Sequence, residues 1–214
     1  MRSYTKLSPP VEINAWQPSS DTWKDFSDNK AAYVPVKTSL ITEQTHLCCY
    51  CEFSLAEGDL HIEHFQPKSG CHGDRARTFE YANLACSCNG GSDKNRHCGM
   101  YKGSKYNSND FINPTAESSE RFFTYTVDGG ICASSELNAS EQKRATYMIE
   151  LLNLNCPRLI SKRRAHARGI TNAIEGLIKV ENLDQFDYLV CFYLTCSNDK
   201  SNPFFSLSKQ ILSP

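Results

Sequence analysis

Residues 47–69 read LCCYCEFSLAEGDLHIEHFQPKS and crowd three cysteines, two histidines and a lysine into one run. Cys48 and Cys51 form a C-x-x-C pair, in which two thiolates on one tight turn can grip a single ion. Twelve residues on, Glu63 and His64 stand side by side. A carboxylate suits a hard cation such as Mg²⁺, and an unligated imidazole suits proton abstraction near neutral pH. The run therefore predicts two metals, one held for structure and one taking part in chemistry.

A closed structural site needs a second pair of thiolates. Residues 83–103, NLACSCNGGSDKNRHCGMYKG, offer Cys86, Cys88 and Cys98. Cys86 and Cys88 are too close together for a comfortable zinc knuckle, so Cys88 pairs with Cys98 across a glycine-rich loop. Four thiolates give a closed tetrahedral Zn²⁺ site with no open position for a substrate. Cys71, Cys132, Cys156, Cys191 and Cys196 are most simply read as small core residues.

These groups need elements to aim them. On a strand, adjacent side chains face opposite ways, so Glu63 and His64 can serve one site only if the chain bends there. Pro67 ends that strand and leaves Lys68 near a phosphate. Residues 1–40, rich in proline, serine and asparagine, read as an irregular arm anchored by Trp16 and Trp23, with one helix around Asp21–Lys30. The cysteine and histidine cluster fills residues 41–115. Residues 116–214 begin with a hairpin turning at Asp128-Gly129-Gly130. Asn138 and Glu141 then have capping-box spacing ahead of Ala145, Met148, Ile149 and Leu152. Pro157 stops that helix or opens the next. Ile170, Ile174, Leu177 and Ile178 mark a second helix, and Asp184 caps a third. The reading is α+β with a helical C-terminal part.

Composition narrows the class. The chain has 214 residues, a formal net charge of −1 and eleven cysteines. Cysteines clustered in this way, without an apolar leader in MRSYTKLSPP, point to metal binding in the cytoplasm rather than to a disulfide framework. The longest apolar run, Leu189–Leu194, is too short to span a bilayer, so no membrane is expected. The charge argues against non-specific coating of nucleic acid and leaves room for a local basic groove. One candidate is RLISKRRAHAR, which puts Arg158, Lys162, Arg163, Arg164 and Arg168 on one helix as a phosphate-tracking surface or an ordinary solvated face.

The order C-x-x-C, E-H-x-x-P-K, Y-x-N-L, then a further cysteine pair followed by a lysine, resembles the HNH endonucleases, which share the ββα-metal fold. More narrowly, CCYCE, HIEHFQPKS, YANL, HCGMYKGS and LLNLN look like the HNH effectors of the Septu and retron anti-phage systems, the PtuB-like proteins. The resemblance covers residues 40–160. It implies a zinc-stabilised HNH core in which His64 is the general base and Glu63 the acid on the catalytic ion, Mg²⁺ or Mn²⁺. It implies that Asn83 braces the loop that orients the histidine. The third metal position of the family falls on Gly99 here, so His97 is the expected substitute, with Asn95 or Asn89 behind it. His61 is expected to be structural.

The resemblance implies hydrolysis of phosphodiester bonds in DNA or RNA. Lys68, Lys102 and Lys105, with Arg163 and Arg164, are the expected contacts to the nucleic acid. It also implies an ABC-type ATPase partner, PtuA-like, from the same defence system. Two rival classes remain in view. A non-catalytic zinc module binding nucleic acid or a protein explains the four cysteines but not Glu63, His64 and Asn83 at these spacings. A cysteine redox or hydrolase protein has no ordered Cys-His-Asp set to support it.

Overall fold

The computed structural model describes residues 1–56, 58–181, 183–197 and 199–213. The N-terminal 43 residues hold three helices where one is expected around Asp21–Lys30, while residues 1–10 are irregular. The helices are α1 (Val11–Asn14), α2 (Trp23–Asp28) and α3 (Lys30–Glu43). Thr22 and Asp25 close a capping box on α2, and the Asn29 side chain accepts the Ala32 N–H to start α3. α3 runs through residue 40, across the end expected for the arm, and buries Ala32, Val36, Leu40 and Glu43. Trp16, Trp23, Phe26 and Phe79 make an aromatic cluster, with Trp16 edge-on to Phe26 at 5.3 Å. Both tryptophans thus bind the arm to the loop that follows the next strand.

β1 (Leu60–His64) and β2 (Leu84–Cys88) pair antiparallel, with Ile62 opposite Cys86 and His64 opposite Leu84. The period-two pleat puts His61 and Glu63 on one face and Ile62 and His64 on the other. The small residues of β2 let elements pack on both faces, and the whole strand is buried. α3 covers one face, tied down by Gln44. That side chain accepts the Cys86 N–H at 2.6 Å and donates to the Cys86 carbonyl at 2.8 Å. α4 (Cys98–Lys102) covers the other face, where the Gly99 N–H donates to Ser87 Oγ at 3.2 Å.

The C-terminal part follows the sequence signals closely. β3 (Phe123–Tyr125) and β4 (Ile131–Ala133) form the hairpin around Asp128-Gly129-Gly130. Gly129 sits at φ +90°, and a Cβ there would collide with the Ile160 carbonyl, so only glycine fits. Asn138 and Glu141 do form a capping box on α5 (Ala139–Leu151). Pro157 opens α6 (Pro157–Lys179), where its missing N–H costs nothing. α7 (Phe186–Leu194) starts at Gln185 with no side-chain cap, so Asp184, in the turn before it, does not cap it as expected, and α8 (Phe205–Leu212) follows. The mixture of helices with two small sheets is α+β. Among the described residues no helix is long and apolar enough to cross a membrane.

Four of the five cysteines expected in the core lie elsewhere. Cys71, Cys132, Cys191 and Cys196 are exposed, and only Cys156 is buried. Each exposed one sits in a loop, at a hairpin edge or at the rim of α7, where nothing packs over it.

Candidate active site

The two ends of the β1–β2 hairpin carry different polar clusters. At one end, the turn after α3 supplies Cys48 and Cys51, the last residue of β2 is Cys88, and the first of α4 is Cys98. Their four sulfurs lie within 4.8 Å of one another. Cys48 and Cys98 are 3.8 Å apart, and Cys51 and Cys88 are 3.7 Å apart. A zinc ion ~2.3 Å from four tetrahedral sulfurs would set them about 3.8 Å apart, so the cluster could hold zinc. The Cys88 N–H points at Cys48 Sγ, 3.4 Å away. Burial alone would raise the Cys48 thiol, but hydrogen bonds from Cys49, Cys51, Cys88 and Cys98 outweigh it and hold the group well below its usual value. Cys86 is separate. Its thiol faces the Lys37 carbonyl, and burial pushes it up to about 12.

At the other end stand Glu63 and His64, which follow the regular pleat of β1 without the expected bend and so lie on opposite faces, near enough for the Glu63 charge to act on the His64 ring. Lys102 Nζ donates to Glu63 Oε1 at 2.8 Å and to the His64 carbonyl at 2.9 Å. Tyr50 also donates to Glu63 Oε1, at 3.3 Å. Burial would raise the Glu63 carboxyl, yet His61 and Lys102 hold it below the usual range, so it is ionised. His61 Nδ1 lies 3.0 Å from Asn89 Oδ1, which only accepts, so Nδ1 carries the proton. Nε2 faces Glu63 Oε2 across 3.3 Å, and burial, which would lower the imidazole, is outweighed by the carboxylate, which raises it above its usual value. Two acceptors turned toward each other need a cation between them, either a proton or a metal.

At Gly99, where the resemblance implies a third metal ligand, the neighbours leave no room for a side chain. A Cβ at residue 99 would overlap Glu63 Oε2 and lie 2.7 Å from His61 Nε2. His61 reaches from β1 into the space that a side chain on α4 would take. His97 is turned away from Glu63: its Nδ1 meets the Asn95 carbonyl at 2.6 Å, and its Nε2 lies 3.7 Å from Cys88 Sγ. It therefore belongs to the surroundings of the sulfur cluster, with Cys156 Sγ 3.6 Å from the same ring. The expected substitution of His97 at the Glu63 ion is not what the geometry offers.

His64 Nε2 lies 3.0 Å from the Thr78 carbonyl, which fixes the tautomer with the proton on Nε2. Among the described residues Nδ1 has no hydrogen-bond partner. Trp23 stands edge-on to the ring at 4.3 Å. Burial first, then the nearby Lys68 charge, lowers the imidazole to about 4, so it is neutral and able to accept a proton at pH 7. Asn83 clamps the loop that carries these contacts. Its Oδ1 accepts the Gln66 N–H at 2.9 Å, and its Nδ2 donates to the carbonyls of Gln66 and Arg77 at 3.0 and 3.1 Å.

The basic residues divide. Lys68 is exposed beside His64, and Lys105 is exposed beyond α4. Lys102 is only 1 % exposed and is committed to Glu63, so it cannot reach a nucleic-acid backbone. Arg163, also 1 % exposed, donates to the carbonyls of Gly129 and Leu154 and holds the β3–β4 turn on α6. Arg164 is on the surface, with its Nε donating to the Asp128 carbonyl at 2.8 Å. Sequence reasoning misses Trp23, Thr78 and Tyr50 as neighbours of the site and undervalues His61. The signal for His61 is present in the H-x-E spacing, which on a strand puts both side chains on one face.

No family model matches the chain. It is 33% identical over 162 residues to a Vibrio cholerae protein described as "Retron Vc95 putative HNH endonuclease", covering 75% of this chain and 76% of that protein. It is 29% identical over 210 residues to an Escherichia coli protein described as "Retron Ec83 putative HNH endonuclease", covering 81% of each. With four sulfurs gathered at one end of the hairpin and Glu63, His64 and Asn83 at the other, and with relatives matched over three quarters of its length, the chain belongs to the HNH endonuclease family found in retrons.

Proposed function

We propose that the protein is a metal-dependent endonuclease that hydrolyses phosphodiester bonds of nucleic acid as the effector of an anti-phage defence system. The observation that carries this reading is the pose of His64: a neutral imidazole with Nε2–H spent on Thr78 and Nδ1 left free. In this role Nδ1 takes a proton from water as its oxygen attacks phosphorus and the bond to the leaving oxygen breaks. The β1–β2 hairpin with α4 on one face serves as the ββα core. Glu63 and His61 are the residues that would hold a Mg²⁺ or Mn²⁺ ion. When bound, such an ion neutralises charge on the phosphate and the leaving oxygen. Lys102 keeps the carboxylate ionised and in place, Asn83 keeps the loop under His64, and Lys68 sits where it can meet the flanking phosphate.

An ATPase partner of the ABC type, PtuA-like, completes the proposal. Its support is the outer face of the helical region: no residue of α7 is buried, and Tyr188 and Phe192 are 73 % and 55 % exposed. Exposed aromatic area of this kind is what a docking partner covers.

The test is cleavage of plasmid DNA and of total RNA by the purified chain, with and without its genomic neighbour, in Mg²⁺ or Mn²⁺. Wild type should cut, and His64→Ala should not. If His64→Ala cuts as well as wild type, the assignment to this cluster is wrong and a zinc module without catalysis is the better description.

A further inference from the structure

A cleft of about 870 Å³ opens beside α4, and its lining includes Gln66, Tyr101, Lys105, Tyr106, Asn107 and Tyr147. We infer that this cleft receives an unpaired nucleobase of the substrate strand, next to the phosphate that His64 addresses. The inference rests on the nuclease reading above and adds to it the class of substrate, a strand with at least one base out of its stack.

Position comes first. Gln66 lies two residues beyond His64, and both its backbone groups are pinned by Asn83, so the clamp that sets the catalytic loop also sets one wall of the cleft. Tyr101 precedes Lys102 on α4. Lys102 turns inward to Glu63, and Tyr101 turns outward, 38 % exposed, into the cleft. After α4 the chain reverses at Gly103, φ +56°, and the Lys105 N–H donates to the Lys102 carbonyl. This return brings Tyr106 and Asn107 to the same opening as Tyr101.

The chemistry of the lining fits a base better than a phosphate. Three tyrosines supply flat faces with polar tips, and Gln66, Ser104, Asn107 and Ser108 supply neutral donors and acceptors. Lys105 Nζ stands 5.0 Å over the Tyr101 ring, and Tyr106 is backed by Phe111 at 5.2 Å, so one ring is electrostatically biased and another is braced. Among the described residues of the lining, Lys105 and Glu150 carry opposite charges that cancel, and His72 is the other ionisable nitrogen. A phosphate site would need a positive excess, whereas stacking with hydrogen bonds to ring edges is how proteins hold splayed bases. The volume lies within the range that encloses a small organic ligand, which suits one or two nucleotides. A base inside a duplex has both faces covered and could not stack on a tyrosine of the lining.

Binding of the full-length chain to four labelled 12-mers, with no divalent ion added, tests this: single-stranded DNA, single-stranded RNA and the two corresponding blunt duplexes. At least one single strand should bind about ten-fold or more tightly than its duplex, and which one does identifies the sugar. Tyr101→Ala should weaken that single strand by about ten-fold and leave duplex binding unchanged, whereas Tyr101→Phe should retain it. Lys105→Ala serves as a second variant, with the melting temperature and zinc content of each variant checked against wild type. Equal binding of single strands and duplexes, no binding of any probe, or a Tyr101→Ala chain that binds like wild type overturns the inference. The outcome separates from that of the nuclease reading: a chain that prefers single strands but never cuts retires the nuclease and keeps the pocket. A chain that cuts through His64 yet ignores strandedness does the reverse.

Discussion

The sulfur end and the His64 end of the β1–β2 hairpin are built from the same short strands, yet they treat their polar groups in opposite ways. At the sulfur end four donors converge on one point, all buried, with no position left for another ligand. Along β1 toward the other end each donor is held by a neighbour outside the reacting groups: His61 by Asn89, Glu63 by Lys102 and Tyr50, His64 by Thr78. His64 Nδ1 is left over, and His61 Nε2 and Glu63 Oε2 are left facing each other. A closed set of ligands contributes folding free energy, whereas a set with spare acceptors is poised to take something from solution. The contrast teaches that ligand count alone does not separate structure from chemistry; what the ligands' other atoms are doing does.

The sharpest break of that contrast is at the sulfur end. Cys48→Ser should lose zinc, otherwise expected at about one ion per chain by metal analysis, and drop the melting temperature by many degrees, because zinc binding is folding free energy here. Cys86→Ser, outside the cluster, should keep its zinc. At the other end His64→Ala should reduce cleavage by roughly 10²–10⁴-fold with zinc content unchanged, since a general base acts in the transition state. Lys102→Met should strand a buried carboxylate and cost about 3 kcal/mol in chemical denaturation, with activity recovering in part at high Mg²⁺ or Mn²⁺. Gly99→Ala should cost about 1–3 kcal/mol and weaken the metal response, because its methyl group enters between Glu63 and His61. The smallest effect separates two neighbouring arginines. Arg163→Ala should destabilise by about 1–3 kcal/mol through the unpaired carbonyls of Gly129 and Leu154, whereas Arg164→Ala should change stability by less than about 0.5 kcal/mol.

Much of the molecule is legible where local chemistry decides. The choice of Cys88 over Cys86 comes from spacing, and the structure gathers Cys88 with the other three sulfurs. The turn at Gly129 and the cap at Asn138 carry their own signals. The arm reads as irregular because two of its helices are short, the third runs through Pro35, and its composition is that of a loop, although Thr22-x-x-Asp25 and Asn29 mark helix starts. Lys102 and Arg163 read as surface charges because a basic residue is usually solvated. Helical phase holds the correction for Arg163, which lies four residues after Leu159 and seven before Ile170, the other two buried residues of α6. No spacing rule finds the contact of Trp23 with His64 or of Thr78 with the same ring. Those are long-range contacts set by how the arm and the long β1–β2 connection pack over the strand.

That packing has a practical consequence. The chain has two tryptophans, both in the aromatic cluster above His64, and the Lys68 ammonium stands 5.9 Å from the Trp23 ring. Indole emission responds to the charge and solvent around it, so the protein carries its own optical probe at the base that would do the cutting. An anion drawn to Lys68 changes the field at Trp23 directly, and a titration followed by intrinsic fluorescence would read occupancy of this site without any label.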